Sequence, residues 1–365
     1  MSNQVTDNMP GYVREAHREG PKIVAIGGGT GLSTMLRGLK YASANITAVV
    51  AVSDDGGSSG FLRQDMKMPP PGDIRNCIMA LANTEPFMEQ LMNHRFKGGM
   101  LNGQSFGNLL LAALYETTGS FDTAVTRMHE VLAVTGRVLP VTTADVYLVA
   151  EFENGEEVAR ESMISRFKKQ QNGSRIKRVS MFPKNPAALP DVLEAIAEAD
   201  MIILGPGSLY TSIIPNLLVS GVTDAIVASG ALKVYVCNVM TQEGESEGYS
   251  VSDHIRELMN HSHSDLFKYC LINNAPVPPA ILERYERENA WPIEVDDHKL
   301  SDFEHIEIVA RPLLGKQKDY ARHNPRRLAY ELFKLFVERA PRNTPAGQLD
   351  IVMLRWLESR RSAAL

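Results

Sequence analysis

The chain has 365 residues, 44% apolar and 22% charged, with a net charge of −5. Those values fit one large α/β domain or two smaller globular ones, and they exclude collagen-like, low-complexity and strongly basic nucleic-acid-binding classes. Cys77, Cys237 and Cys270 stand too far apart for a C-x-x-C pattern and read as free core thiols of a reducing compartment.

Residues 1–20 are polar, lack an apolar signal-peptide core, and read as a flexible arm. The apolar run 22–26 ends in Gly27-Gly28-Gly29-Thr30-Gly31, after which Leu32, Met35, Leu36 and Leu39 follow at helical spacing. ITAVVAV at 46–52 has the β-branched richness of a strand buried on both faces. Strand, glycine loop, helix and strand make a right-handed βαβ unit. Helices are expected over 73–83 and 86–96, with a third continuing over 109–114. Segments 146–152 and 157–160 flank Asn154-Gly155, a strong hairpin signal, so an antiparallel insert interrupts the parallel pattern. The uncharged stretch 201–223 is long enough for a membrane span, but Gly205, Pro206, Gly207, Pro215 and Asn216 break it into strand, loop and helix. Further strands are expected at 201–204, 225–229 and 234–239, and amphipathic helices at 326–338 and 347–360. The expected fold is one large α/β domain over 21–325. Its sheet is doubly wound and mostly parallel with a hairpin insert, and a helical tail, 326–365, packs on it. A cytoplasmic protein without a membrane span is the reading.

Glycines that join a strand to a helix free backbone N–H groups at the helix N-terminus and leave room for a phosphate. Gly28, Gly29, Thr30 and Gly31 are therefore candidates for anion binding, with a packing turn as the plainer alternative. The spacing is not a clean dinucleotide fingerprint, which disfavours a nicotinamide dehydrogenase, and no Lys follows as a Walker loop requires. The second strand ends in Ser53-Asp54-Asp55-Gly56-Gly57-Ser58-Ser59-Gly60, at the rim where such sheets hold ligands. Asp54 and Asp55 would repel a phosphate unless they hold a divalent cation, accept sugar hydroxyls or act as a base. The other alternative is an acidic turn that caps the next helix. The proline run before Gly72 delivers Asp73 as an N-cap, with Arg75 and Asn76 in the first turn. No cofactor is fixed by the sequence; magnesium at Asp54, Asp55 and Asp73 is one reading.

Gly205-Pro206-Gly207-Ser208-Leu209-Tyr210-Thr211 follows another strand and can present N–H groups as the first loop does. Ser208 and Thr211 could bond phosphate or sugar and Tyr210 could stack on a base, against an ordinary connection capped by Ser208. Asn238 and Thr241 belong to the same rim. The basic stretch 166–178 reads as a solvated flexible loop, with docking of an acidic partner as the alternative. His254, His261 and His263 read as surface histidines rather than a metal site.

GGGTGLSTMLRGLK, VSDDGGSSG, PPPGDIRN, LGPGSLYTSIIPNLL and VCNVMTQ stand in the order and spacing of the YvcK-type gluconeogenesis factor family. That family is related in fold to the 2-phospho-L-lactate transferases, and the resemblance runs from about residue 22 to 330. It implies a Rossmann-like three-layer α/β fold with a nucleotide or nucleotide-sugar ligand, UDP-N-acetylglucosamine being expected, and a role in cell shape, envelope synthesis and growth on gluconeogenic carbon. Cell-envelope biosynthesis proteins are the implied partners, and a homo-oligomer is expected. It also favours Arg322 and His323 on the ligand side, with a surface charge cluster as the alternative. Where the family usually has Gly-His-x-x-Gly-Asn, this chain reads Gly103-Gln104-Ser105-Phe106-Gly107-Asn108. Gln104 cannot carry a proton near neutral pH, which shifts weight from catalysis to binding, with Gly107 and Asn108 kept as ligand candidates. A regulatory binding protein is the preferred reading. The alternative is a transferase moving a phosphorylated group to a hydroxyl, with Asp54, Asp55 or Asp73 as its catalytic carboxylates.

Overall fold

A computed structural model of the chain describes residues 4–7, 9–170, 174–315 and 320–361. Among the described residues ten strands form two sheets: β1 (Ile23–Gly27), β2 (Ile46–Val50), β3 (Arg137–Pro140), β4 (Tyr147–Phe152), β5 (Glu157–Ala159), β6 (Ile176–Phe182), β7 (Met201–Leu204), β8 (Leu232–Val236), β9 (Tyr269–Asn273) and β10 (Glu307–Arg311). Seven of them pair in parallel in the order β10-β9-β8-β7-β1-β2-β3. The other three, in the order β5-β4-β6, form the antiparallel insert, with Gly155 at its turn in the left-handed region (φ 85°). Ile23 and Ala25 of β1 face one core and Val24 and Ile26 the other, so helices cover both faces. The doubly wound α/β fold expected from the sequence is the fold observed.

From β1 the chain builds one half of the sheet through β2 and β3, then returns to β7 and builds outward to β10. The order reverses between β1 and β7, and the two glycine-rich loops that follow these strands lie side by side at that switch point. Open α/β sheets hold ligands in this crevice.

Four expectations of local structure change. The described part of the expected arm is docked: Val5 and Met9, with Val13 and Ala16 of the helix Gly11–Arg18, are buried against Tyr330, Phe333, Met353 and Leu357, and residues 1–3 and 8 lie outside the described residues. An apolar stripe spaced by four, four and three residues drives this docking, although the segment as a whole is polar. Residues 225–229 are not a strand: 225–228 lie in the helix Val222–Ala228, which Gly221 starts with φ 83° and Ser229 caps, because adjacent parallel strands β7 and β8 need a crossover there. The helix expected over 86–96 stops at Met92, and Arg95 instead bridges to Ser105. The basic stretch 166–178 is not a loop throughout: it spans the end of the helix Glu161–Gln170 and the start of β6, and residues 171–173 lie outside the described residues.

The helix Gly29–Leu39 carries the first glycine loop, and the C-terminal helix Pro325–Arg339 packs directly on it at Gly38. A Cβ at Gly38 would lie 1.9 Å from the Pro325 carbonyl oxygen. Gly38→Ala is expected to force the two helices apart and cost about 1–3 kcal/mol of overpacking strain. Thermal unfolding measures this, with Gly11→Ala, which meets nothing within 4 Å, as the neutral control.

Candidate functional site

A cavity of about 440 Å³ opens at the switch point. Gly28, Gly29, Thr30 and Gly31 form one wall, and Gly207, Ser208 and Asn238 lie beside them. Arg322 and His323 lie on the cavity as well, with Thr241 and Gln242. The first-turn amides of Thr30 and Gly31 have no carbonyl four residues back inside the helix, so they are free to meet an anion. The two loops touch closely: a Cβ on Gly31 would lie 2.5 Å from the Pro206 carbonyl oxygen. Asn238 fixes the second loop, accepting from the Gly207 N–H at 3.1 Å and donating to the Gly207 carbonyl at 2.7 Å.

Asp73 does not cap its own helix. The helix Gly72–Leu81 starts one residue earlier with Pro71 at its cap, and the Asp73 carboxylate accepts the Gly29 N–H at 2.7 Å. One of the cradle amides is thus already occupied by the chain's own carboxylate. Burial, with the Asp54 charge behind it, pushes the Asp73 carboxyl up to about 6, against the pull of the Gly29 N–H and Arg75. Burial also raises Asp54, which accepts the Gly56 N–H at 2.9 Å. Asp55 turns the other way and accepts the Ser162 N–H at 2.9 Å, holding the start of the Glu161 helix. That contact brings Glu161 to the acidic group, where burial first, then Asp54 and Asp73, push its carboxyl well above the usual range. None of Asp54, Asp55, Asp73 or Glu161 lines the cavity itself. They form an acidic shelf joined to it through the Asp73–Gly29 contact.

The second loop is occupied where the first is open. Glu245, fully buried, accepts the N–H groups of Tyr210 at 2.8 Å and Thr211 at 3.0 Å and bonds the Ser208 hydroxyl. Ser208 and Thr211 also bond each other at 2.7 Å, so these hydroxyls and amides serve the fold before any ligand. Tyr210 is no stacking platform: it is buried, with its hydroxyl on Tyr249 and Glu257. Gln104, Gly107 and Asn108 brace the acidic loop from behind. Gln104 accepts from the Ser58 hydroxyl at 2.8 Å, and the Asn108 amide donates to it at 3.2 Å. Gly107 leaves no room for a Cβ beside Met92 and Arg75. Asn76 is half-buried and does not line the cavity.

His254 and His261 are not surface residues. Both are buried on backbone carbonyls of their own helix, and His261 also accepts the Val179 N–H of β6 at 3.0 Å. Among the described residues no group of three or more His, Cys, Asp or Glu is placed to hold a metal ion. All three cysteines are buried and free, as expected. His323 matters more: burial pushes its imidazole down to about 4, so it is neutral, and its Nε2 is buried without a partner. Residues that sequence reasoning missed at the cavity are Tyr285, Glu288 and Tyr320, together with Glu245 and Glu161 near it. No local motif marks them: Tyr320 stands two residues before Arg322 without a motif of its own, and the others reach the site from distant segments.

A doubly wound sheet with two opposed glycine loops at its switch point and a carboxylate shelf beside them defines the class. The family described as 2-phospho-L-lactate transferase CofD matches residues 23–314. The chain belongs to the gluconeogenesis factor family, a CofD-like group. A gluconeogenesis factor of Bacillus subtilis is 46% identical over 319 residues, covering 87% of this chain and 99% of that protein. One from Halalkalibacterium halodurans is 44% identical over 327 residues, covering 89% and 98%. A crystal structure of a Bacillus halodurans protein superposes with a TM-score of 0.82 at 44% identity, covering 86% of this chain and 99% of that one. Among the described residues no helix is long and apolar enough to cross a membrane.

Proposed function

We propose that the chain is a nucleotide-sugar-binding regulatory protein. Its ligand is UDP-N-acetylglucosamine, and its occupancy links carbon supply to cell-envelope synthesis and cell shape during gluconeogenic growth. The observation that carries the reading is the 440 Å³ cavity, with free helix N-terminal amides at Thr30 and Gly31 and a guanidinium at Arg322. Its volume falls in the usual range for small-molecule sites, about 300–1,000 Å³. The diphosphate lies on the amides with Arg322 as its cationic clamp. The neutral His323 Nε2 accepts a hydrogen bond from a ligand N–H or O–H that would otherwise leave this buried acceptor unpaired. Asp54 and Asp73 are the carboxylates that would hold a magnesium ion, which would offset the negative charge of the phosphates, since such ions commonly take one or two carboxylates. Asp55 is committed to Ser162 instead.

One observation keeps the transferase reading alongside it. Asp73, with its carboxyl near 6, sits at the cavity edge, where such a group can take a proton from an attacking hydroxyl. Calorimetry with UDP-N-acetylglucosamine, GDP and NAD, each with and without magnesium, separates these readings. Micromolar binding of the nucleotide sugar without turnover is expected, and Arg322→Ala should weaken it about tenfold or more, the value of one charge-assisted contact. Release of a nucleotide monophosphate would move the function to the transferase. Binding of NAD alone would overturn both.

A further inference from the structure

The basic cluster at 322–327 is divided between two places. Arg322 and His323 line the nucleotide cavity, whereas Arg326 lines a separate cavity of about 100 Å³ at the other end of the Gly29 helix. Gly38 contributes to that second cavity, Val5 and Leu357 give it apolar walls, and Arg360 stands on it with Arg326. Most of these residues lie outside the 23–314 stretch that the CofD family matches.

The two arginines differ from their neighbours. Arg311, Arg339, Arg342 and Arg361 each face a carboxylate, and Arg327 donates to the Leu314 carbonyl. Arg326 and Arg360 have no carboxylate or hydrogen-bond partner among the described residues; each lies over an aromatic ring instead. Their guanidinium carbons are 5.5 Å from the Tyr41 ring centre and 5.4 Å from the Trp356 ring centre. Stacking uses the flat face of a guanidinium and leaves its N–H donors in the plane free, while it holds the side chain ready. The nearby Glu358 does not neutralise them, being engaged by Tyr330 and Arg361. Two pre-oriented, unpaired cations thus stand over an apolar pocket. A cavity of about 150 Å³ holds a benzene, so this one suits a body of a few carbons.

We infer that this cavity is a second binding site, for a small organic anion with a carboxylate or phosphate ester on a short apolar body. The oxyanion lies between Arg326 and Arg360, and the carbon body rests on Val5 and Leu357. The site touches the helix that presents Thr30 and Gly31, through Gly38, and the helix Pro325–Arg339 that directly follows the segment carrying Arg322 and His323. An occupant here is therefore placed to bias the first site, and any such coupling is reciprocal. The site itself does not depend on what the first cavity binds.

Trp356 reports on this pocket directly, because the chain has only one other tryptophan, Trp291, which Trp291→Phe removes. In that background the full chain is titrated with propionate, ethyl phosphate and the uncharged propionamide. Saturable quenching at millimolar concentration or below is expected with at least one anion and not with propionamide; which anion responds tells carboxylate from phosphate ester. Arg360→Gln, at an exposed position, and Arg326→Gln should each weaken the response about tenfold or more while thermal unfolding stays unchanged. Equal quenching by propionamide, no saturation with either anion, or full response in both variants would overturn the assignment.

Discussion

Replacing Gly31 by alanine is expected to remove nucleotide binding almost entirely while leaving a folded protein. The added methyl would stand 2.5 Å from the Pro206 oxygen, 2.7 Å from its carbonyl carbon and 2.9 Å from the Gly207 nitrogen. All three are backbone atoms, and the Asn238 clamp on Gly207 prevents that loop from simply turning aside. One of the two loops must shift, which misplaces the amides that meet the diphosphate. Geometry errors of about 1 Å at such a site cost on the order of a hundredfold. The overpacking itself costs about 1–3 kcal/mol, a fall of a few degrees in Tm for a chain of this size. Gly29→Ala is the comparison. Its φ of 62° makes alanine strained, but the new methyl would meet only the Ser212 hydroxyl at 3.6 Å, so the loss should be much smaller. Calorimetry on both variants, with thermal unfolding beside it, checks the ranking. If Gly31→Ala bound the nucleotide sugar as tightly as the native chain, the loop contact would have no part in the site.

The two glycine loops were legible because each follows a β-branched run and precedes a helical spacing, a signature that lies within about ten consecutive residues. The switch point was legible for the same reason: strands β1, β2 and β7 are short apolar blocks that run into glycine-containing loops. What escaped was set by contacts across the fold. Asp73 looked like a local helix cap, but a partly buried carboxylate gains more from the Gly29 N–H than from its own helix start. Ser208 and Thr211 looked like ligand groups because nothing in their neighbourhood announces that Glu245, thirty-odd residues away, closes over them. The first twenty residues looked solvated because charged side chains interleave with the buried Val5, Met9, Val13 and Ala16. Strands β9 and β10 were unread because they lie between loop-like segments without glycine punctuation. Local chemistry thus showed where a ligand could sit, and tertiary contacts decided which groups remain free to hold it.

Asp73→Asn should raise stability near neutral pH and change how the site answers to magnesium. In the folded chain the Asp73 carboxyl titrates at about 6, above its ordinary value of 3.8, because burial and Asp54 disfavour its charge. The folded state therefore holds this proton more tightly than the unfolded one. The favourable contribution is complete below pH 4, is lost as pH rises towards 6, and is absent above it. At 1.36 kcal/mol per pKa unit the loss amounts to up to about 3 kcal/mol at pH 7. Asparagine keeps an oxygen for the Gly29 N–H and carries no charge, so the variant should unfold at higher temperature than the native chain at pH 7. Below pH 4 the two should coincide. The same substitution removes a negative charge from the edge of the diphosphate cradle. Without magnesium it should tighten nucleotide-sugar binding, since a like charge no longer faces the phosphates. With magnesium it should bind more weakly than the native chain, because one of the two carboxylates that would hold the ion is gone. Unfolding curves across pH and calorimetry with and without the metal read both effects. Parallel pH profiles would show that Asp73 keeps its charge throughout, and an unchanged magnesium response would move the cation, and the phosphates it neutralises, away from the Asp54–Asp73 pair.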